Sequence, residues 1–399
     1  MAKLIDITGK ALSGEWGSED VSGQGIPILR TTNFTNEGTI DYSSVVTRTV
    51  TKKNIRDKFL KNGDIIIEKS GGSDKQPVGR VVYFDSIENK YLFNNFTGLL
   101  RVKDKNKWLP KYVFYSLFSA YKQGKTKYFE NRTTGLHNLQ TDSYIKNLEI
   151  KDVPIHVQQK ECDILDNICG QVMLRKKQLS QYDQIVNARF VEMFGDLALN
   201  PKNWTQVSLR EVCKEPDDIK CGPFGTQLGK DEYLSDGIPV WGIPQINKNF
   251  QIPTYDFVSY EKATELSKFS LLPGDIAMSR KGNVGKCAIY PIGYPDGIIH
   301  SDVLRIRVDR NICNPIFLMY QLHFSRAVET QINLVSHGAI MAGINVSKLK
   351  NIQIHIPSIT LQNDFETFVQ KADKSKSAIQ KSLDETQTLF NSLMQEYFG

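Results

Sequence analysis

From Gln158 onward the seam positions fall four and three residues apart: Ile168, Val172, Arg175, Leu179, Tyr182, Val186, Arg189 and Met193. The same steps return 204 residues later at Ala372, Lys376, Ile379, Leu383, Thr386, Phe390, Leu393 and Tyr397. A stripe of this length, uninterrupted by proline or glycine after Gly170, predicts a long helix with a coiled-coil seam. Each helix would run about 36 residues, or roughly 54 Å at 1.5 Å per residue. The side chains expected to pair the helices or meet a partner are Ile168, Val172, Leu179, Tyr182, Val186 and Phe190, and Ile379, Leu383, Phe390, Leu393 and Tyr397.

The helices are part of a larger duplication. IVNARFVEMFGD, ending at Asp196, reappears as LFNSLMQEYFG at the C-terminus, and IKNLEI before the first helix reappears as LKNIQI before the second. An internal repeat outranks every other sequence signal. Upstream, Gly25-Ile26-Pro27-Ile28 matches Gly237-Ile238-Pro239-Val240, and a strand is expected beyond each proline, which a strand's middle excludes. LKNGDIII at Leu60 matches LLPGDIAM at Leu271, a Gly-Asp turn feeding a buried apolar strand. Further strands are expected at Arg80–Phe84 and Leu99–Val102, and at Cys287–Tyr290 and Val303–Val308. Helices opened by Pro110 (KYVFYSLFSAY) and Pro315 (IFLMYQLHFSRAV) follow, since proline suits the first helical turn. The expected fold is mixed α+β: two tandem globular domains, 1–155 and 204–360, with helices at 156–196 and 361–399 and a linker at 197–203. The short linker allows the second helix to pair with the first only by running back along it. That gives an antiparallel coiled coil and a pseudo-two-fold dumbbell.

Composition is that of a soluble protein, and the apolar runs fall far short of the roughly 20 residues a membrane span needs. No signal peptide is expected at the start. The six cysteines show no CxxC pair or metal spacing, and are expected to be buried thiols in a reducing cytoplasm. Charge is uneven. Residues 1–203 hold 30 lysines and arginines against 23 acids, and residues 204–399 hold 20 against 21. A basic half suits a polyanion.

No catalytic constellation stands up. Asn314-Pro315-Ile316-Phe317 resembles the adenine-binding loop of methyltransferases but has isoleucine where a second proline belongs, and reads better as a helix start. Gly282-Asn283-Val284-Gly285-Lys286-Cys287 has the wrong spacing and lacks the hydroxyl of a phosphate loop. Asp218-Ile219-Lys220 is a tripeptide expected by chance, and the histidines form no metal motif. What remains is a recognition surface on glycine-rich cationic loops: Lys69, Ser70, Gly71, Gly72, Ser73, Lys75 and Arg80 in the first copy, and Arg280, Lys281, Asn283 and Lys286 in the second. Polar strand edges at Arg30, Thr31, Thr32 and Asn33, and at Gln245, Asn247 and Lys248, would add base-reading side chains. So would the loops holding Arg132, Thr133, Thr134, His137 and Asn138, and Ser336 and His337. Framework motifs agree between the copies while these loops differ, so the two domains should read different sequences.

In order and doubling, these motifs resemble the specificity subunit of type I restriction-modification systems. The resemblance rests on GIPILRTTNF and GIPVWGIPQI, LKNGDIII and LLPGDIAM, NLEIKDVPIHVQQ and NIQIHIPSITLQ, and the helices ending EMFG and EYFG. It implies a non-catalytic chain whose two target recognition domains each read one half of a split, asymmetric double-stranded DNA site. The helices would set the spacing and hold two adenine methyltransferase (modification) subunits, joined by restriction subunits acting as translocase and nuclease. S-adenosylmethionine, ATP and magnesium would then belong to those partners, and this chain would bind no cofactor or metal. Domains held roughly 54 Å apart or less would span at most about sixteen base pairs at ~3.4 Å each. The competing readings are a self-sufficient DNA-modifying enzyme, a protein-interaction scaffold built on the coiled coil, and a specificity subunit serving other effectors.

Overall fold

The computed structural model describes all of residues 1–399 except Lys53, 132–136 and 337–342. The chain divides into two compact units, Met1–Lys176 with Lys381–Gly399, and Lys177–Gln380. The long helices, Ile155–Phe194 and Ile359–Phe398, have 40 residues each. Each unit therefore takes part of both helices, and the boundary between units falls within the helices rather than at the 197–203 linker.

In the first unit the strand Ile65–Glu68 lies between Thr97–Leu100 and Val81–Tyr83, with Leu12–Ser13 beyond Thr97–Leu100 at the edge. Its apolar run is explained by cover on both faces. Ile65 and Ile67 join Tyr112, Val113 and Leu117 in one core, while Ile66 turns to Leu29, Phe84 and Phe93 in another. The second unit repeats the order with Ile219–Cys221, Val303–Ile306, Ile276–Ser279 and Cys287–Ile289. There Ile276 and Met278 enter one core and Ala277 the other. The turn before each central strand needs a left-handed residue, supplied by Gly63 (φ 92°) and Gly274 (φ 93°). The aspartate that follows closes the turn: Asp64 Oδ2 accepts from Lys61 N–H and Asp275 Oδ2 from Leu272 N–H, both at 2.7 Å.

Two expectations change. The strands Ile26–Leu29 and Ile238–Trp241 include their prolines. This is possible because Pro27 faces Val46–Thr49 on one side only, while parallel pairing with Leu92–Phe93 begins at Ile28. The helix expected from Pro315 is two helices, Pro315–Phe324 and Arg326–Ser336. Ser325 between them is extended (φ −81°, ψ 110°), and its carbonyl accepts Glu329 N–H at 2.9 Å, so one residue closes the first helix and opens the second.

Both long helices are fastened to their units by a buried glutamine. Gln158 Oε1 accepts Leu109 N–H at 2.9 Å, and its Nε2 donates to the carbonyls of Lys107 and Val153 at 2.9 Å each. Gln362 repeats this on Asn314 N–H at 2.8 Å and on the carbonyls of Ile312 (3.3 Å) and Pro357 (2.8 Å). Within each unit the helices run antiparallel. In the first, Ile168 shares a core with Phe390, while Arg175 Nη1 donates to Thr386 Oγ1 at 2.6 Å. In the second, Lys376 meets Asp183 at 2.6 Å and the rings of Phe190 and Phe365 lie 5.4 Å apart. Val172, Val186, Phe190, Leu383 and Phe390 are buried, but Leu179, Tyr182, Ile379, Leu393 and Tyr397 only half so. Near the end of the first helix the seam shifts by one residue. Phe190 enters the core, while Arg189 bonds Glu192 and lies over Phe368.

Candidate nucleic-acid interface

Two loops separated in sequence come together in each unit, through the same bond. In the first, Leu139 N–H donates to the Lys69 carbonyl at 2.8 Å, and in the second Ile344 N–H donates to the Arg280 carbonyl at 3.0 Å. The first unit extends this contact into a sheet in which Ser70–Gly72 pairs with His137–Leu139, and that strand with Glu130–Asn131. The second shows, among the described residues, the bridge of Lys281 to Gly343. Ser70, Gly71 and Gly72 are thus placed beside His137 and Asn138, with Ser73 and Lys75 in the turn that follows. Arg132, Thr133, Thr134 and His337 lie outside the described residues.

The loops are hydrogen-bonded turns rather than slack chain. Ser73 and Gln76 exchange backbone bonds at 2.7 and 3.1 Å. Ser279 N–H donates to the Lys286 carbonyl at 2.8 Å, and Lys286 N–H to the Asn283 carbonyl at 3.1 Å. Lys75, Lys281 and Asn283 are exposed, and Lys286 is half-buried. Lys281 is tied to Asp302 at 2.8 Å. The half-buried Lys69 donates to Ser13 Oγ at 2.9 Å, and burial holds its ammonium below the usual lysine range.

Several expected contact residues hold the frame instead. Arg80 donates Nε and Nη2 to the buried Glu68 carboxylate at 2.9 and 3.0 Å, and reaches the carbonyls of Thr31 and Phe34. Its donors are used inside the protein. Asn33 is fully buried; Oδ1 accepts Arg30 N–H at 2.9 Å and Nδ2 donates to the Asp41 carbonyl at 3.1 Å. Gln245, its counterpart, caps Gly242 N–H at 3.2 Å and donates to the Pro253 carbonyl at 3.0 Å. The segments read as strand edges are a short helical turn, Thr31–Asn33, and a helix, Ile243–Asn247. They leave Thr32, Asn247 and Lys248 exposed and Arg30 and Thr31 half-buried. Ser336 is buried in the last turn of its helix, bonded to the Asn333 carbonyl at 3.2 Å. His137 pairs with Glu130 inside its sheet.

Two groups that resemble catalytic ones are held in other roles. Asn314 is buried at a helix start, where Oδ1 accepts Ile316 N–H at 2.9 Å and Nδ2 donates to Asn363 and Glu366. It has no free edge for an adenine. The buried Cys287 thiol meets His323 Nε2 at 3.2 Å, but burial pushes the thiol up to about 12 and the imidazole down to about 4, the reverse of an activated pair. Among the described residues no group of three His, Cys, Asp or Glu side chains is placed to hold a metal ion, and no helix is long and apolar enough to cross a membrane.

The family model of the type I restriction modification DNA specificity domain matches residues 4–182 and again residues 201–388. The chain belongs to this family. A protein of Methanocaldococcus jannaschii described as the MjaX type I restriction enzyme specificity subunit is 24% identical over 203 residues, which are 50% of this chain and 46% of that one. The chain thus matches less than half the length of that curated relative. The S subunit structure from M. genitalium superposes with a TM-score of 0.57 at 16% identity, covering 100% of this chain and 95% of that one. A chain from a structural study of complex assembly and conformational transition in a type I R-M system gives 0.58 at 15%, covering 100% and 96%. This specificity subunit therefore shares their fold: two tandem specificity domains with two long helices.

Sequence reading missed one pair of features at the loops. Trp16 lies under the guanidinium of Arg48, and Phe224 under that of Arg280, at 4.4 and 5.0 Å from the ring centroids. The signal was present as Gly14-Glu15-Trp16-Gly17 and Gly222-Pro223-Phe224-Gly225.

Proposed function

We propose that this specificity subunit reads a bipartite, asymmetric DNA site, one half per unit, without chemistry of its own. The observation that carries the reading is the joined loop pair. The same bond, Leu139 to Lys69 and Ile344 to Arg280, presents two unlike cationic loops on two like frames. Lysines near phosphate supply salt-dependent affinity, and polar side chains at base edges supply sequence. The long helices hold two adenine methyltransferase subunits, and the restriction subunits join that assembly. S-adenosylmethionine, ATP and magnesium are bound by these partners. All six cysteines are unpaired, which suits work in a reducing cytoplasm.

The test is to express the full chain with its modification subunit and sequence the methylated bases in the host DNA. A two-part motif is expected. Replacing residues 204–360 with those of another specificity subunit should change one half alone. Methylation without a split motif, or a change in both halves, overturns the reading.

A further inference from the structure

The two arginine–aromatic stacks are built by one device. Leu12–Ser13 and Ile219–Cys221 are matching edge strands of the two main sheets, with Ser13 opposite Gly98 and Cys221 opposite Leu304. A Cβ on the next residue would collide with the carbonyl of Asn94 at Gly14, and with that of His300 at Gly222. Three residues on, Gly17 and Gly225 take φ of 68° and 52°, a region that disfavours other residues. Trp16 and Phe224, between these glycines, are delivered to the same place in their units. Beside them, Lys69 donates to Ser13 Oγ at 2.9 Å and Arg280 to Cys221 Sγ at 3.1 Å, so each aromatic adjoins the cationic loop.

The guanidiniums come from different elements, Arg48 from the strand Val46–Thr49 and Arg280 from the loop. In both, Nε is buried without a hydrogen-bond partner. Among the described residues Arg48 makes no side-chain hydrogen bond, and Arg280 uses only Nη1, on Cys221 and on the Ser301 carbonyl at 3.4 Å. With Nε shielded, the donors left for a ligand are the Nη atoms of Arg48 and Nη2 of Arg280, which make no bond among the described residues. Stacking on a ring also removes torsional freedom in advance, so less is lost when a ligand binds. The rigid fork of arginine matches guanine, which presents O6 and N7 side by side in the major groove.

We propose that Arg48 and Arg280 read guanine in the half-sites of the first and second units, steadied by Trp16 and Phe224. This rests on the chain being a DNA specificity subunit. A phosphate contact needs charge alone and keeps most of its strength with lysine, whereas a guanine contact made by a planar fork stacked on a ring is weakened by lysine, a point charge that neither stacks nor holds the fork.

The experiment places Arg48→Lys and Arg280→Lys separately in the full chain, expresses each with the modification subunit, and sequences the methylated bases. Arg280→Lys should lower discrimination at one guanine of one half-site roughly ten- to a hundredfold, leaving the other half unchanged. Arg48→Lys should act likewise on the opposite half. Phe224 is half exposed, so Phe224→Ala leaves no buried void and should weaken the same guanine as Arg280→Lys. Unchanged motifs in both lysine variants, or one variant altering both halves, overturn the assignment. A wild-type complex that methylates without a motif overturns the DNA-reading function, and the assignment with it.

Discussion

Arg101 meets Asp64 through two parallel hydrogen bonds, Nε to Oδ1 at 2.7 Å and Nη2 to Oδ2 at 2.6 Å. Arg307 meets Asp275 in the same way, at 2.8 and 2.6 Å. The Gly-Asp motif thus has two tasks. One carboxylate closes the turn before the central strand and fixes the arginine that follows the neighbouring strand. Charge-assisted bonds of this forked kind are among the stronger ones in proteins.

Asp64→Asn and Asp275→Asn should each destabilise their own unit by about 2–4 kcal/mol, the arginines being partly solvated and the aspartates buried. Urea unfolding followed by a probe in each unit would measure this. A loss below about 0.5 kcal/mol would reduce the pair to a surface contact.

Gln158→Ala should cost about 2–4 kcal/mol, because it leaves Leu109 N–H and the carbonyls of Lys107 and Val153 without their partner. Gln362→Ala should match it in the second unit. Hydrogen exchange at Leu109 and Asn314 gives a direct reading, with faster exchange expected in the corresponding variant only.

His323 makes the second unit acid-sensitive. Burial, then Lys286, holds its imidazole at about 4 against an ordinary value near 6.5. The folded chain therefore binds the proton less readily than the unfolded one. The stability this provides is complete above pH 6.5 and is lost as pH falls through 4. Between pH 7 and pH 5 the loss should be about 2 kcal/mol. A His323→Gln variant should lack this part of the acid slope in thermal melts, and an unchanged slope would assign the sensitivity elsewhere.

Lys75 and Arg80 should separate binding from stability. Lys75 is exposed at the tip of its turn, so Lys75→Ala should weaken DNA binding several-fold and reduce the salt slope by about 0.9. Arg80→Ala should lower the melting temperature of the first unit, since it releases buried Glu68 and the turn at Thr31. Equal salt-slope effects from both would show that Arg80 reaches DNA after all.

The frame was legible because the chain writes it twice. The glycine before Asp64 and Asp275, the prolines opening helices and the stripe from Ile168 each carry a local signal that survives without neighbours. The burial of Asn33 and Gln245 was not legible, because an amide that caps a turn and an amide that reads a base look alike in sequence. The ion pair of Arg80 was hidden for a similar reason: Glu68 lies twelve residues away across a strand pair. The stacks on Trp16 and Phe224 escaped notice because their arginines come from different elements, so no fixed spacing links ring and cation. The helix break at Ser325 depends on an extended backbone within a sequence that is helical on either side.

Every bond made by Gln158, and every bond made by Gln362, ends on a main-chain atom. Such an anchor is indifferent to the identity of the residues it holds. Lineages of this protein could exchange nearly all the outward chemistry of a unit, by drift or by recombination, while the helix leaves it at an unaltered angle. New DNA preferences would then arise without any compensating change in the helices.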